Sequence, residues 1–381
     1  MLRIIACSLL LLIALSTVVT AANAPGRIGV YVRFDRDTEM KSPYRLRAAM
    51  KRIKATGIDF IIPLAKNTSG AVNWDSRIAP KDQIGDPEYL GNVIKYAHAE
   101  GLKVYPWLCV CSEGGENKLD SMLTNNPSWA WYYDSAKRGY IDPGNPEARK
   151  YICALVEELV SQHDLDGLSL DYLRCPNKVG YTESGRAAIL KQYNVDLADI
   201  VESTGIKLDT EGGKAGEVSQ NKNPRAHAVW PAWKQLRTDQ INTLMREIKS
   251  TVVKTRPGLP VSSYVWGYQT YTGNFEVCQD WKTWIKSGWL DWINISAYRY
   301  DDQVFLNAAQ ANRAAVAKGF PFYLTIGVKT SHGELKTAEE VRKHIKMAGD
   351  CGAEGLMFFT WEALDKFADE LTPDISNFGR R

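Results

Sequence analysis

The chain of 381 residues carries 47 Lys and Arg against 44 Asp and Glu, which gives a formal charge of +3. Charged residues make up 24% and hydrophobic residues 45%, proportions typical of soluble domains. The composition therefore excludes a disordered chain and a nucleic-acid-binding protein that depends on a strong positive field. The 12 Trp and 18 Tyr outnumber the 10 Phe, and because aromatic rings with a polar edge are common at ligand-binding surfaces, this excess indicates a binding cleft.

The first 24 residues have the pattern of a secretory signal peptide. Arg3 precedes an apolar run from Ile4 to Val19, and small residues follow at Thr20–Ala24. The run of roughly 16 apolar residues is shorter than the about 20 that a membrane span needs. We therefore expect residues 1–24 to be cleaved, residues 25–381 to form one domain without a stable membrane span, and the protein to be secreted or periplasmic.

Eight short runs rich in β-branched and aromatic residues alternate with helical patterns. In chain order they are Ile28–Phe34, Ile58–Leu64, Leu102–Leu108, Gly167–Leu173, Pro260–Trp266, Trp292–Tyr298, Phe322–Val328 and Gly355–Thr360. Four of them follow a helical pattern that ends at a glycine, the usual residue just beyond a helix: Gly57, Gly101, Gly319 and Gly352. Eight strand–helix repeats predict a (β/α)8 TIM barrel. A doubly wound sheet is the alternative, but no Gly-rich phosphate turn follows the first strand.

Two long segments follow predicted strands three and four, at residues 109–140 and 177–232. Both leave the carboxyl ends of their strands, which is the side on which barrel enzymes build their active sites. In the second, the polar, glycine-rich stretch Glu211–Glu217 predicts a mobile lip. Between the two, Asn145 followed by Pro146 predicts the start of a helix, because Asn caps helix amino termini and Pro fits the first helical position.

Asp171 is the strongest candidate for catalysis. Successive side chains of a strand point to opposite faces, and the face towards the helices is apolar, so Asp171 is expected to point into the barrel at the carboxyl end of strand four. It has no evident structural duty, whereas Asp166, which precedes the strand, is expected to fix the turn at Gly167. Arg33 and Arg174 either keep Asp171 ionised by their charge or form surface ion pairs.

The same counting places aromatic and charged residues of several strands at the barrel mouth. A mouth of Tyr and Trp with a few carboxylates suits a sugar, because aromatic rings stack on the apolar faces of sugar rings while polar groups bind the hydroxyls. The predicted substrate-binding residues are Tyr31, Arg33, Trp107, Arg174, Tyr264, Trp266 and Tyr298.

The region around strand four resembles the glycosyl-hydrolase-like family ten. The resemblance is most convincing over residues 127–176, in Tyr140–Ile152 and Leu170–Pro176, and extends to Trp107 and to Trp233 with Arg237. Members are barrel proteins of bacterial envelopes, related to the hydrolase domain of the poly-N-acetylglucosamine export machinery. The resemblance implies a TIM barrel with glycoside hydrolase activity, in which Asp171 carries the chemistry.

Glycoside hydrolysis usually needs two carboxylates, about 5–5.5 Å apart for retention and about 6.5–9.5 Å apart for inversion of the anomeric centre. With Asp171 as nucleophile or general acid, we expect the second to be Glu362, which lies at the end of strand eight with inward parity. Glu113, in the loop after strand three, is the main alternative, and Asp35 and Asp301 follow.

The sequence thus predicts an exported glycoside hydrolase that cleaves a poly- or oligosaccharide, and a non-catalytic carbohydrate-binding barrel of the cell envelope is the alternative. A family 18 chitinase is disfavoured because Leu173 stands where its acid Glu is required. A polysaccharide deacetylase is disfavoured because the histidines and cysteines lack metal-ligand spacing. We expect no cofactor, no metal and no nucleic acid; the oligomeric state is open.

Six cysteines follow the predicted signal peptide: Cys109, Cys111, Cys153, Cys175, Cys278 and Cys351. Export would permit disulfides, and six cysteines allow 15 complete pairings among which the sequence does not choose.

Overall fold

The computed structural model describes residues 24–34, 42–82, 86, 88–115, 118–133, 136–176, 180–199, 224–267 and 277–379. Apart from residue 24, the predicted signal peptide lies outside these residues, as do the predicted lip and Asp35. Among the helices of this part of the chain, none combines the length and apolar character that a bilayer span requires.

Eight parallel strands close into a barrel. They are β1 (Ile28–Val32), β2 (Phe60–Lys66), β3 (two segments, Lys103–Val104 and Trp107–Cys109), β4 (Leu168–Asp171), β5 (Val261–Val265), β6 (Trp292–Ser296), β7 (Phe322–Gly327) and β8 (Gly355–Phe359). Each strand pairs with the next, and β8 pairs with β1. This closure confirms the predicted (β/α)8 barrel.

Helices surround the barrel. They are α1 (Pro43–Ala55), α2 (Tyr89–Ala99), α3 (Ser121–Asn125), α4 (Pro146–Gln162), α5 (Glu183–Tyr193), α6 (Pro224–Thr255), α7 (Trp281–Lys286), α8 (Asp302–Ala315), α9 (Ala338–Asp350), α10 (Trp361–Leu364) and α11 (Ala368–Asn377). The long α6 starts before Ala232, where the second insertion was expected to end, and contains Pro231. The four predicted glycine caps are confirmed, since their φ angles lie between +70° and +91° at Gly57, Gly101, Gly319 and Gly352.

Aromatic side chains fill the amino-terminal end of the barrel interior. Phe60 and Trp292 are the first residues of β2 and β6, and their ring centroids lie 5.7 Å apart. Tyr105 and Tyr323 pack against the same two rings, at 5.0 to 6.0 Å. Because this layer fills the amino-terminal end of the described barrel, we expect a ligand to enter from the opposite, carboxyl-terminal end.

Half of the tryptophans serve packing. Six of the 12 are fully buried, and they are Trp74, Trp131, Trp233, Trp281, Trp284 and Trp292. For these six residues the interpretation drawn from composition was wrong, because they belong to the core rather than to a cleft.

The two insertions contact each other at the carboxyl-terminal end of the barrel. Tyr132 of the first and Tyr181 of the second exchange both backbone hydrogen bonds, at 2.8 and 2.9 Å, and their rings stack with centroids 5.1 Å apart. Trp233 of α6 donates from Nε1 to the carbonyl of Gly180 at 3.0 Å. The described residues Tyr132 of the first insertion, Gly180 and Tyr181 of the second, and Trp233 of α6 are thus linked by contacts at this end of the barrel.

The predicted start of α4 is confirmed, because Asn145 Oδ1 accepts hydrogen bonds from the backbone of Glu147 at 2.9 Å and Ala148 at 3.3 Å. Asn145→Ala is expected to lower the free energy of unfolding by about 1 kcal/mol, since two helix amides lose their acceptor. Urea denaturation measures this loss. Asn145→Ser should restore most of it, whereas an Ala variant as stable as the wild type would contradict the assigned cap.

Candidate active site

Asp171 ends β4 and points into the barrel mouth, as its parity predicted. Its Cα pairs in register with Cys109 of β3. Trp107 donates from Nε1 to Oδ2 at 2.9 Å, and the amide of Tyr172 donates to Oδ1 at 2.6 Å. For its amide to reach the side chain of the preceding residue, Tyr172 leaves the strand conformation and adopts a left-handed φ of +51°. Both carboxylate oxygens are thus held in a fixed orientation.

Burial raises the pKa of Asp171 to about 6, because a charged carboxylate is poorly solvated inside the mouth. The Tyr172 amide, the Arg174 charge and the Trp107 indole each lower the pKa, but together they do not outweigh burial. One of the two predictions for Arg174 was that its charge keeps Asp171 ionised. In the structure this charge does lower the pKa of Asp171, but by less than burial raises it.

Three tyrosines from different strands gather next to this carboxyl group. The ring centroid of Tyr31 of β1 lies 5.0 Å from that of Trp107 and 6.4 Å from that of Tyr264 of β5. The ring centroid of Tyr298, just beyond β6, lies 5.9 Å from that of Tyr264. Burial raises the pKa of all three hydroxyls, and the nearby charge of Asp171 raises it further. The hydroxyls therefore remain neutral hydrogen-bond donors throughout the neutral pH range.

Two arginines lie on aromatic faces at the same mouth. The guanidinium of Arg33 is 5.6 Å from the ring of Trp107. That of Arg174 is 4.6 Å from Trp266 and 4.7 Å from Tyr172. All seven predicted substrate-binding residues are therefore connected by contacts to one another or to Asp171, although whether they bind substrate stays a prediction.

Glu362 also lies at this end of the barrel, but for a different reason from the one predicted. The chain leaves β8 after Phe359, and Glu362 belongs to the short helix α10, so strand parity does not apply to it. Its Oε1 instead accepts a hydrogen bond of 2.6 Å from the backbone amide of Arg33, and its side chain is exposed. Contacts through Arg33 and Trp107 link it to Asp171.

Glu113 is not brought to the mouth. It is fully buried, and its Oε1 lies 2.8 Å from Nζ of Lys66, a β2 residue that also donates to the carbonyls of Cys109 and Ser112, each at 2.8 Å. Burial raises the pKa of Glu113 to about 8, against the opposing charge of Lys66. A carboxyl group enclosed in this way has no surface open to a substrate, so the geometry does not favour Glu113 as the partner of Asp171.

Two further carboxylates have structural contacts. Asp301 caps α8 by accepting from the amide of Val304 at 2.9 Å. Asp166 accepts from the amide of Val104 at 2.8 Å and contacts His98 at 2.8 Å; these contacts are structural, and its expected role in the turn at Gly167 stays a prediction. No group of three or more His, Cys, Asp or Glu in the described ranges is arranged to hold a metal ion.

The family model described as "Glycosyl hydrolase-like 10" matches residues 28–332. The chain belongs to this family. The part of this glycosyl hydrolase-like 10 protein that is matched runs from β1 to just beyond β7 and includes Asp171, whereas β8 and Glu362 lie outside it.

Curated relatives carry names of the same kind. "Glycosyl hydrolase DigH" of Escherichia coli K12 is 24% identical over 300 residues, which covers 67% of this chain and 60% of the relative. "Glycosyl hydrolase YngK" of Bacillus subtilis 168 is 25% identical over 235 residues, covering 56% of this chain and 39% of the relative. The aligned region thus spans 60% or less of the length of these two relatives.

Solved structures support the fold. The PgaB (BpsB) glycoside hydrolase domain from Bordetella bronchiseptica has a TM-score of 0.64 at 15% identity, covering 92% of this chain and 99% of that domain. The β-galactosidase from Bacillus circulans sp. alkalophilus has a TM-score of 0.60 at 15% identity, covering 88% of this chain and 50% of that one. Both likenesses concern the barrel architecture.

Sequence reasoning missed Asn294 in this glycosyl hydrolase-like 10 site. Its Nδ2 donates to the hydroxyl of Tyr31 at 2.6 Å inside the barrel, and the residue is fully buried. The signal was present, since Asn294 lies four residues before Tyr298 and therefore shares its predicted inward-facing parity.

Proposed function

We propose that this protein is an exported glycoside hydrolase that cleaves a poly- or oligosaccharide, with Asp171 as a catalytic carboxyl group. The observation that carries the proposal is the fixed position of that carboxyl group at the end of β4, where Trp107 and the Tyr172 amide hold it among tyrosine hydroxyls. Membership of the glycosyl hydrolase-like 10 family supports the activity. The signal-peptide pattern of residues 1–24 supports export.

A pKa of about 6 suits Asp171 for either of two roles, because both protonation states are populated around neutral pH. As a carboxylate it attacks the anomeric carbon, and as an acid it protonates the departing glycosidic oxygen. In each role the reacting oxygen must point at the substrate, and the two hydrogen bonds to Asp171 fix that direction.

The surrounding residues suit a sugar. The neutral hydroxyls of Tyr264 and Tyr298 are hydrogen-bonded to each other, and that of Tyr264 also to Ser296, so they offer oxygens that accept from sugar hydroxyls, while the partly exposed ring of Trp266 offers a face for stacking. The guanidinium groups of Arg174 and Arg33 also lie at the mouth. They can bind acidic groups of a glycan by charge or donate hydrogen bonds to its hydroxyl oxygens.

Glu362 is the second carboxylate of the proposal. It is exposed at the mouth, and the backbone amide of Arg33 fixes one of its oxygens. An ionised Glu362 serves as base or nucleophile while a protonated Asp171 serves as acid, or the roles are reversed. The stereochemistry of the product, followed by NMR of the released sugar, distinguishes a retaining pair from an inverting one.

The pH profile of kcat/KM is expected to break near pH 6, where Asp171 titrates in the free enzyme. Because the positive charge of Arg174 lowers the pKa of Asp171, Arg174→Met should move the break to higher pH. Arg313→Met, which removes an arginine paired with Glu354 away from the mouth, is the matched control and should leave the break in place. An unmoved break in the Arg174 variant would contradict the assignment of the titrating group.

The function is tested by measuring reducing-end release from a panel of bacterial and plant polysaccharides, with binding to the same glycans measured in parallel. Release by the wild type that is lost in Asp171→Asn supports the proposal and identifies the substrate class. Binding by both proteins without release by either would instead support the carbohydrate-binding barrel, since a site with one working carboxylate still holds sugar.

A further inference from the structure

Two buried cysteines meet directly behind the mouth. Cys175 follows Arg174 in the loop after β4, and Cys278 precedes Gln279 in the segment between β5 and α7. The amide of Cys175 donates to the carbonyl of Val277 at 2.8 Å, which holds the two backbones side by side. The thiols of Cys175 and Cys278 are in hydrogen-bond contact, and both residues are almost completely buried.

A buried arginine lies next to this pair. Arg237 of α6 is only 2% exposed, and in the described part of the chain its Nε has no hydrogen-bond acceptor. Its guanidinium lies 5.4 Å from the rings of both Trp230 and Trp233, and aromatic faces offset a buried charge only in part. The negative charge of a cysteine thiolate would satisfy it.

Cys278 is the cysteine that this environment activates. Burial opposes its ionisation, but the Cys175 thiol, Arg237 and Thr238 overcome that effect and lower the pKa of Cys278 to about 7. Burial and the contact with Cys278 raise the pKa of Cys175. The backbone of Cys278 has a left-handed φ of +62°, an uncommon conformation for a residue other than glycine.

We propose that Cys175 and Cys278 form a disulfide bond that ties the loop after β4 to the segment after β5. The oxidant is another disulfide, either a small one such as glutathione disulfide or that of a thiol oxidoreductase. The Cys278 thiolate attacks one sulfur of the oxidant and releases the other as a thiolate. Cys175 then gives up its proton, attacks the Cys278 sulfur and releases the second thiol. The protein loses two electrons and two protons, and the oxidant disulfide is reduced to two thiols.

The bond would fix one side of the mouth. Arg174 is the neighbour of Cys175, and its guanidinium lies 4.6 Å from Trp266. The amide of Trp266 in turn donates to Oε1 of Gln279, the neighbour of Cys278, at 3.0 Å. A covalent link between the two cysteines thus holds both halves of the Arg174–Trp266 contact in register. It also closes a loop of about 100 residues, for which cross-linking theory gives a large stabilisation.

The test needs no glycan, so its failure is distinct from failure of the proposed hydrolase activity. Purified full-length protein is reduced, freed of reductant and exposed to glutathione disulfide, both when folded and during refolding from urea so that burial does not limit access. Free thiols are then alkylated under denaturing conditions and the peptides are mapped by mass spectrometry. Differential scanning fluorimetry follows the unfolding temperature with and without dithiothreitol.

We expect a cross-linked peptide containing Cys175 and Cys278, lighter by two hydrogen atoms than the reduced pair, and an unfolding temperature about 5–10 °C higher in the oxidised protein. Cys153→Ser is the matched control, because Cys153 contacts Thr251 elsewhere in the structure, and it should retain both effects. Cys175→Ser and Cys278→Ser should each lose the cross-link and the oxidant-dependent shift. Free Cys175 and Cys278 after oxidative refolding, a persistent glutathione adduct on Cys278, or a different pairing would each overturn the proposal.

Discussion

Asp171→Asn is expected to lower kcat about 10²- to 10⁴-fold on any glycan that the wild type cleaves, because an amide neither donates the proton to the leaving group nor attacks the anomeric carbon. Trp107 still has an oxygen to which it can donate, so the geometry of the mouth should be kept. Initial rates of reducing-end release, measured at saturating substrate, give the ratio. A variant that retains a tenth or more of the wild-type kcat would remove Asp171 from the chemistry.

Stability of the same variant provides the control for folding. The folded pKa of about 6 lies above that of an Asp in an unfolded chain, so the contribution of Asp171 to stability is complete at low pH and is lost as the pH rises through 6. Asn carries no charge, and we therefore expect Asp171→Asn to be about 1 kcal/mol more stable than the wild type at pH 7. Urea denaturation at pH 5 and pH 7 checks the sign, and an inactive variant that is also unstable at pH 7 would point to misfolding.

Lys66→Met is expected to lower the free energy of unfolding by about 3–5 kcal/mol, because it leaves the buried carbonyls of Cys109 and Ser112 without a donor and removes the cation beside the fully buried Glu113. Glu113 already has a folded pKa of about 8, well above the usual value, so its contribution to stability is lost as the pH rises through 8. Removal of Lys66 raises that pKa further, and the deficit should be larger at pH 8 than at pH 5. Chemical denaturation at the two pH values measures it.

The double variant Lys66→Met/Glu113→Gln should recover part of the loss at pH 8 and little of it at pH 5, since Gln does not have to take up a proton on folding. The exposed pair Lys81–Asp75 offers a matched comparison, and Lys81→Met is expected to change stability by less than about 1 kcal/mol. A loss below about 1 kcal/mol in Lys66→Met would show that water reaches Glu113 in solution.

The barrel and the inward residues of its strands could be predicted because both depend on local patterns. The alternation of side chains along a strand fixes which residue points inward, and this placed Asp171, Tyr31 and Trp107 in one interior. Closure of the barrel follows from repetition of the strand–helix unit, so each correct strand also assigned the position of its neighbours.

The second carboxylate could not be predicted in the same way. Parity assumes that a strand continues, and the chain leaves β8 before Glu362, whose position depends instead on the amide of Arg33 at the far end of the sequence. For Glu113 the deciding contact is with Lys66, a charged residue in an otherwise apolar strand, and no local pattern pairs residues that far apart. Contacts between distant segments decide both cases.

The pairing of Tyr132 with Tyr181 has a consequence for the engineering of such barrels. Tyr132 and Tyr181 exchange backbone hydrogen bonds between two insertions that the chain makes separately. The two loops are therefore not independent modules: a graft that replaces one of them breaks a strand-like pairing with the other and strips a backbone partner from it. An experiment that transfers substrate specificity from a relative should therefore exchange both loops and the first part of α6 together.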